Sequence, residues 1–387
     1  MPFTARTLTA LAAAAAVLAS TAGAASADVS ATSMPAVQTD SHTRAAIARY
    51  WTPQRMQRVR PLPIPAAGKA IRVAARSRPS GGTPGSAGGK RSRLGARGLT
   101  PRKGLPSGSA FAHTSYVGLQ ELPWNITSYG QANPISAVGR LFFRAWDRLH
   151  GVWYDSSCTG TLVSANIVLT AAHCVREGRP DGVRNTLFSF APGLNGTSRP
   201  YGTFTSRQQV TAASWYSAPY YNSAGTGGGG FYGQDYAFVV LDRDAYGRNA
   251  GDGNMAGAYS FYMNAPTWGS LYHLGYPAEG GWNGCSDASC KPWQCSAPIQ
   301  RYDQYAYASK WDLGFSCYTT GGASGGPQFQ SIGGRWYVTS VLSHMGVVHC
   351  QNGANPCPAG SPRYGLSFYG SYLDSDAQSI FNYALTQ

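Results

Sequence analysis

Near the end of the chain, eleven residues, Cys317-Tyr318-Thr319-Thr320-Gly321-Gly322-Ala323-Ser324-Gly325-Gly326-Pro327, set one serine among four glycines and close on a proline. Glycine wastes backbone entropy inside a helix or strand, and proline removes a backbone donor. The run is therefore a tight, specially shaped loop. Ser324 is either an ordinary loop serine or a nucleophile. A serine hydroxyl attacks a carbonyl only when a base takes its proton, and that base needs an orienting partner.

The scaffold around the loop reads as β-structure. From about residue 132 the chain breaks into short apolar runs separated by Gly, Asn, Asp and Pro. Residues 137–143, 159–170, 187–190, 236–241, 270–275 and 336–343 are rich in β-branched and aromatic side chains and predict strands or strand pairs. A helical pattern comes only at the end. There Asp374 or Ser375 can cap residues 374–387, with Ile380, Phe381, Ala384 and Leu385 on one face. Many strands and one terminal helix indicate an antiparallel barrel or sandwich.

Residues 158–174 read CTGTLVSANIVLTAAHC. A turn at residues 163–166 joins two apolar strands, and the second delivers His173 after small residues that leave its ring unobstructed. Cys158 and Cys174 are spaced to tether that turn. Asp235 stands immediately before the apolar run Ala237-Phe238-Val239-Val240-Leu241, so its carboxylate is partly buried and needs a donor such as an imidazole N–H. Asp242, beside Arg243 and Asp244, reads as solvated turn chemistry.

His173, Asp235 and Ser324 occur in that chain order. With the stretches LTAAHC, DYAFVVL and GGASGGP, the sequence resembles the chymotrypsin/trypsin family of serine peptidases from about residue 132 onward. The resemblance implies an all-β fold of two six-stranded antiparallel β-barrels with a C-terminal α-helix. It makes His173 the general base, Asp235 its orienter and Ser324 the nucleophile, with the backbone N–H groups of Gly322 and Ser324 as the oxyanion hole. Ala323 replaces the Asp that receives the new N-terminal ammonium in trypsin-type zymogens, so that activation salt bridge is not expected. Tyr318 replaces the Asp that selects Lys or Arg in trypsin. The serine loop looks more like the bacterial glutamyl endopeptidase branch. That likeness implies substrate contacts at Tyr318, Thr319, Ser343 and His344, with His344 meeting an acidic side chain. The 62 residues from His173 to Asp235 are more than is usual in the family, and include a Gly-rich run at residues 225–230.

The formal charge of +14 is unevenly placed. Residues 28–110 carry 15 Lys/Arg against 2 acidic residues, whereas residues 111–387 carry 15 of each. The basicity belongs to the leader, so the neutral C-terminal part is not expected to bind nucleic acid. Arg6, the apolar residues 8–19 and Ala25-Ser26-Ala27 fit an export signal, too short to anchor in a membrane. The expected organisation is a signal peptide at 1–27, a basic Pro/Gly-rich pro-segment or linker at 28–115, and a peptidase domain at 116–387. Within the leader, residues 41–59 suggest a short helix broken at Pro53. Residues 60–65 should be extended, and residues 78–108 lack the apolar content to fold.

All eight cysteines lie beyond residue 157, which in an exported chain indicates disulfides. Beyond Cys158–Cys174, short loops favour Cys285–Cys290, Cys295–Cys317 and Cys350–Cys357. The spacing suits zinc poorly, and no metal or cofactor is expected. Gly322-Ala323-Ser324-Gly325-Gly326 also fits the α/β-hydrolase nucleophile elbow, but that fold needs an acid and then a His after the serine, and no His follows Asp374 or Asp376. The expected protein is a secreted, monomeric serine endopeptidase acting on proteins or peptides. The alternative is an inactive binding protein on a protease scaffold.

Overall fold

A computed structural model describes residues 35–65, 72–74, 83–84, 120–121, 136–217, 232–278, 292–305, 310–315, 317, 319–345, 348–350, 363–365 and 368–387. The leader contributes a strand β1 (Pro35–Thr39), helices α1 (Arg44–Tyr50) and α2 (Pro53–Gln57), and a short strand β2 (Arg60–Pro61). The helix break falls at Pro53, whose missing N–H costs nothing at the first position of α2. Thr43 and Thr52 cap the two helices.

The next six strands are β3 (Val138–Asp147), β4 (Val152–Leu162), β5 (Ile167–Thr170), β6 (Thr186–Pro192), β7 (Phe204–Ala212) and β8 (Ala237–Leu241). They pair antiparallel in the order β7-β8-β5-β4-β3-β6, and β6 pairs back to β7, which closes a barrel. A second set follows: β9 (Ser270–Gly275), β10 (Trp293–Tyr305), β11 (Lys310–Phe315), β12 (Pro327–Ile332), β13 (Arg335–Met345) and β14 (Phe368–Tyr372). Their order is β9-β12-β13-β14-β11-β10, closed by β10 on β9. Two closed six-stranded antiparallel barrels result. Closure leaves neither set of six with a free edge.

The leader is not a free tail over residues 35–65. β1 extends the first barrel's sheet by pairing antiparallel with β7. Ile47, Trp51, Met56 and Val59 are buried in the same apolar cluster as Phe142, Phe188 and Val210. Leu187 adopts φ +59°, a conformation costly for a side chain of its size. Its N–H donates to Asp40 Oδ2 at 3.0 Å, and its carbonyl accepts from Trp51 Nε1, so the leader grips it on both sides.

The C-terminal helix α3 (Ser375–Leu385) begins at Asp374, whose Oδ1 accepts from the N–H groups of Asp376 and Ala377 at 3.0 and 3.2 Å. Ile380, Phe381 and Ala384 are buried as expected, but Leu385, in the last turn, is 44% exposed and lies outside the apolar face. The Phe381 ring centroid sits 5.4 Å from Phe238 of β8 and 5.1 Å from Phe261. The helix thus returns to the first barrel after the second is complete. No helix among the described residues is long and apolar enough to cross a membrane. Phe381→Ala, in a Ser324→Ala background that prevents self-digestion, should cost about 3–5 kcal/mol of stability. Urea titration followed by tryptophan fluorescence measures it, and an unchanged midpoint would contradict this packing.

Candidate active site

The end of β5 fixes His173. Ala172–Cys174 form a single 3-10 turn immediately after the strand, and the Cys158–Cys174 disulfide binds that turn to β4 across a Cα–Cα distance of 6.3 Å. Asn185 Nδ2 donates to the Cys174 carbonyl at 2.9 Å and holds the far side. The ring is pinned by Asp235, which lies between the short turn Tyr232–Gln234 and β8 and is fully buried.

The Asp235 carboxylate is satisfied by three donors. Oδ1 accepts from the His173 backbone N–H at 2.8 Å; Oδ2 accepts from His173 Nδ1 at 2.7 Å and from Ser343 Oγ at 2.6 Å. A carboxylate only accepts, so Nδ1 carries the hydrogen and the neutral ring presents a bare Nε2. Asp242, by contrast, accepts from Thr205 Oγ1 at 2.7 Å and is only half-buried.

Backbone bonds to both barrels hold the Ser324 loop. The Ser324 carbonyl accepts from Thr159 N at 2.8 Å, and the Gly322 carbonyl from Thr159 Oγ1 at 2.9 Å. The Thr159 carbonyl accepts from Thr170 Oγ1 at 2.8 Å, and its hydroxyl accepts from Tyr276 N at 2.9 Å. On the other side, Gly325 N donates to the Leu342 carbonyl at 2.8 Å, and Leu342 N to the Gly326 carbonyl at 2.9 Å. Gly325 has φ +77°, and a Cβ there would lie 2.1 Å from Thr170 Oγ1, so only glycine fits. Ser324 is fully buried. Its Oγ and His173 Nε2 have no hydrogen-bond partner among the described residues. Hydrogen bonds of this kind are often long until a substrate is in place.

Sequence reasoning missed Thr159, which ties both β5 and Tyr276 to the serine loop. Its only local signal is its place beside Cys158. Thr319 is buried at the loop's start, and Tyr318 lies outside the described residues. His344, expected to meet a substrate's acidic side chain, lies on β13 next to Ser343. Its ring is fully buried and stacks against Tyr232 and Tyr369, with centroids 4.1 and 5.1 Å away. Nδ1 lies 3.1 Å from Ser343 Oγ, and Nε2 3.5 Å from Asp312 Oδ2. Ser343 thus stands between the two histidines, donating to Asp235 and lying beside His344 Nδ1.

Cys295 and Cys317 form the second disulfide, as the short loop suggested. The expected Cys285–Cys290 and Cys350–Cys357 bridges lie outside the described residues. Cys158, His173 and Cys174 cluster closely enough to suggest metal ligands, but both sulfurs are spent on the disulfide and Nδ1 faces Asp235. These residues do not fit a metal.

Beneath the serine loop, Ala323 is buried with no charge of its own. A Cβ at Gly275 would meet Ala323 Cβ at 3.0 Å and His273 Nε2 at 3.1 Å, so His273 of β9 packs under this turn. Burial pushes the His273 imidazole down to about 4 from 6.5. Between those values the unfolded chain binds a proton that the native state does not, so stability falls as pH drops from about 6.5 towards 4. The loss should be roughly 3 kcal/mol. Urea titrations of Ser324→Ala with and without His273→Leu at pH 7 and pH 4.5 isolate it: the stability of the His273 form relative to the Leu form should be lower at pH 4.5 than at pH 7, and a pH-independent difference would contradict the assignment.

Residues 144–359 match the family described as Trypsin, more than half of the 387 residues. A glutamyl endopeptidase of Bacillus licheniformis is 27% identical over 181 residues, 46% of this chain and 47% of its own length. A Bacillus subtilis protein named extracellular metalloprotease is 26% identical over 216 residues, 54% of this chain and 58% of its own. The chain thus spans about half the length of these curated relatives. Among solved structures, the protease Anisep of Arthrobacter nicotinovorans aligns over 66% of this chain and 97% of its own, with a TM-score of 0.48 and 27% identity.

Proposed function

The chain belongs to the trypsin family; from that premise we propose that it is a secreted serine-type endopeptidase that cuts peptide bonds through an acyl-enzyme on Ser324. Ser324 Oγ attacks the substrate carbonyl while its proton passes to His173 Nε2. Asp235, accepting from Nδ1 at 2.7 Å, holds the ring in the tautomer that leaves Nε2 open and stabilises the imidazolium that forms. The N–H groups of Gly322 and Ser324 take the developing oxyanion, and losing one such donor typically costs roughly 3–4 kcal/mol of transition-state stabilisation. Collapse breaks the C–N bond, and the proton on Nε2 goes to the departing amine. Water then attacks the ester with the same proton shuttle, releasing the acid and restoring Ser324.

The observation that carries this reading is the double grip of Asp235 on His173, through the ring Nδ1 and the backbone N–H of one residue. A structural histidine needs no such orientation.

Tyr318 offers no carboxylate to a basic side chain, which argues against selection of Lys or Arg at the cut. The Bacillus licheniformis relative's name supports an acidic preference, for which His344 is the candidate contact. Ala323 cannot accept a new N-terminal ammonium, so activation by that salt bridge is excluded from the proposal. Export through residues 1–27, removal of the leader and action as a monomer on proteins or peptides complete it. The Bacillus subtilis relative's printed name, extracellular, agrees with export.

A fluorophosphonate probe should label processed protein on Ser324, with no label in Ser324→Ala. His173→Ala should lower peptide hydrolysis by about three or more orders of magnitude. Correctly processed, folded protein that takes no label would favour the inactive-scaffold reading instead.

A further inference from the structure

The leader does more than pack on the first barrel. After α2 its chain runs across the site just described. Arg60–Pro61 of β2 pairs parallel with Ser156–Ser157 of β4, and Leu62 N donates to the Ser157 carbonyl at 3.1 Å. The Leu62 carbonyl then accepts from Gly322 N at 3.0 Å. Pro61 Cβ lies 3.2 Å from where a Gly322 Cβ would stand, close over the loop. Ile64 is buried in the second barrel's apolar cluster with Leu342 and Cys317, and the Pro65 carbonyl accepts from Met345 N at 2.9 Å. Six consecutive residues thus touch the wall beside the Cys158–Cys174 bridge, the serine loop, and the strand carrying Ser343.

We propose that Arg60–Pro65 is a built-in inhibitor that lies across the active-site cleft with its chain direction opposite to a substrate's, its Leu62 carbonyl taking the Gly322 N–H that the oxyanion needs. The proposal rests on the reading of Gly322 and Ser324 above. The reversed direction follows from the proton path. His173 protonates the departing amine, and it sits on the first barrel beside the Cys158–Cys174 bridge. The departing half of a substrate therefore lies on the side of Ser157, and the acyl half on the side of Met345. A substrate runs from Met345 past Ser324 to Ser157, N-terminus first. The leader passes Ser157 first, then Gly322, then Met345. A carbonyl held in that sense puts the wrong flank towards His173, so the segment occupies the cleft without being turned over.

Two features follow. The burial of Ser324 is explained by a segment lying over the loop. A cut in the chain after residue 65 also does not by itself open the site. β1, α1 and α2 hold Arg60–Pro65 in place through Ile47, Trp51, Met56 and Val59, whichever later bond is broken. Release requires the leader itself to be dislodged or destroyed.

The full chain tests this with two readouts. Ile64→Asp should expel Pro65 and Leu62 from their partners by placing a carboxylate in an apolar cluster. In the Ser324→Ala full chain, the Gly322 and Met345 amides should exchange with deuterium at least about tenfold faster once Ile64→Asp is added. In the full chain that keeps Ser324, Ile64→Asp should speed fluorophosphonate labelling by a similar factor. Unchanged exchange at both amides overturns the placement of the leader. Faster exchange with labelling no faster overturns its role as the block. If no chain labels even after the leader is stripped away, the nucleophile assignment fails, while amide exchange still decides whether the leader occupies the cleft.

Discussion

A fully buried carboxylate is expensive unless every oxygen is paired, and Asp235 is paired by groups from both barrels. His173 reaches it twice from the first barrel, through backbone and ring, and Ser343 reaches it once from β13 of the second. None of the three donors is local in sequence, the nearest lying 62 residues away. The charge is therefore stable only when the two barrels meet in one arrangement, and that arrangement is the one that orients the imidazole. His344 and Asp312 lie next along the same chain of groups, beyond Ser343.

Thr159 plays the matching part for the serine loop. One residue, next to the disulfide that steadies His173, donates to the carbonyls of both Gly322 and Ser324. The proposed base and nucleophile are thus referenced to the same strand, β4. Gly325 lets the loop's backbone pass where a Cβ would strike Thr170 Oγ1 and the Thr159 carbonyl. With Ala323 below it and a neutral His273 beneath, the loop is held by hydrogen bonds to its surroundings rather than by a buried ion pair. A loop held in this way agrees with the proposal that control rests on the leader lying over it rather than on a newly freed terminus.

The residues proposed for the chemistry were legible because each is fixed by short-range requirements. His173 needs small residues and a tether beside it, Asp235 needs a strand behind it, and Ser324 needs glycines around it. Strands with clean apolar runs, such as β5 and β8, were legible for the same reason. β7 was not, because Arg207, Gln208 and Gln209 interrupt its pattern and their place is set by pairing with β1 and β8. β14 was missed because Phe368–Tyr372 is short and contains a glycine. Thr159 and the stacking of His344 between Tyr232 and Tyr369 depend on contacts across the molecule that no local pattern encodes. In the leader, the helix broken at Pro53 was legible but its burial was not: Ile47, Trp51, Met56 and Val59 pack into the first barrel's apolar cluster, a contact set by tertiary structure rather than by composition.

The central claim is that Asp235 fixes His173 with Nδ1 protonated and Nε2 open towards Ser324. Nitrogen-15 NMR of the His173 ring tests it directly, at a pH where the ring is neutral. The account predicts a pyrrole-type Nδ1 coupled to its proton and a pyridine-type Nε2, with that pattern lost in Asp235→Ala. A neutral ring with the proton on Nε2, or one indifferent to Asp235, would contradict it.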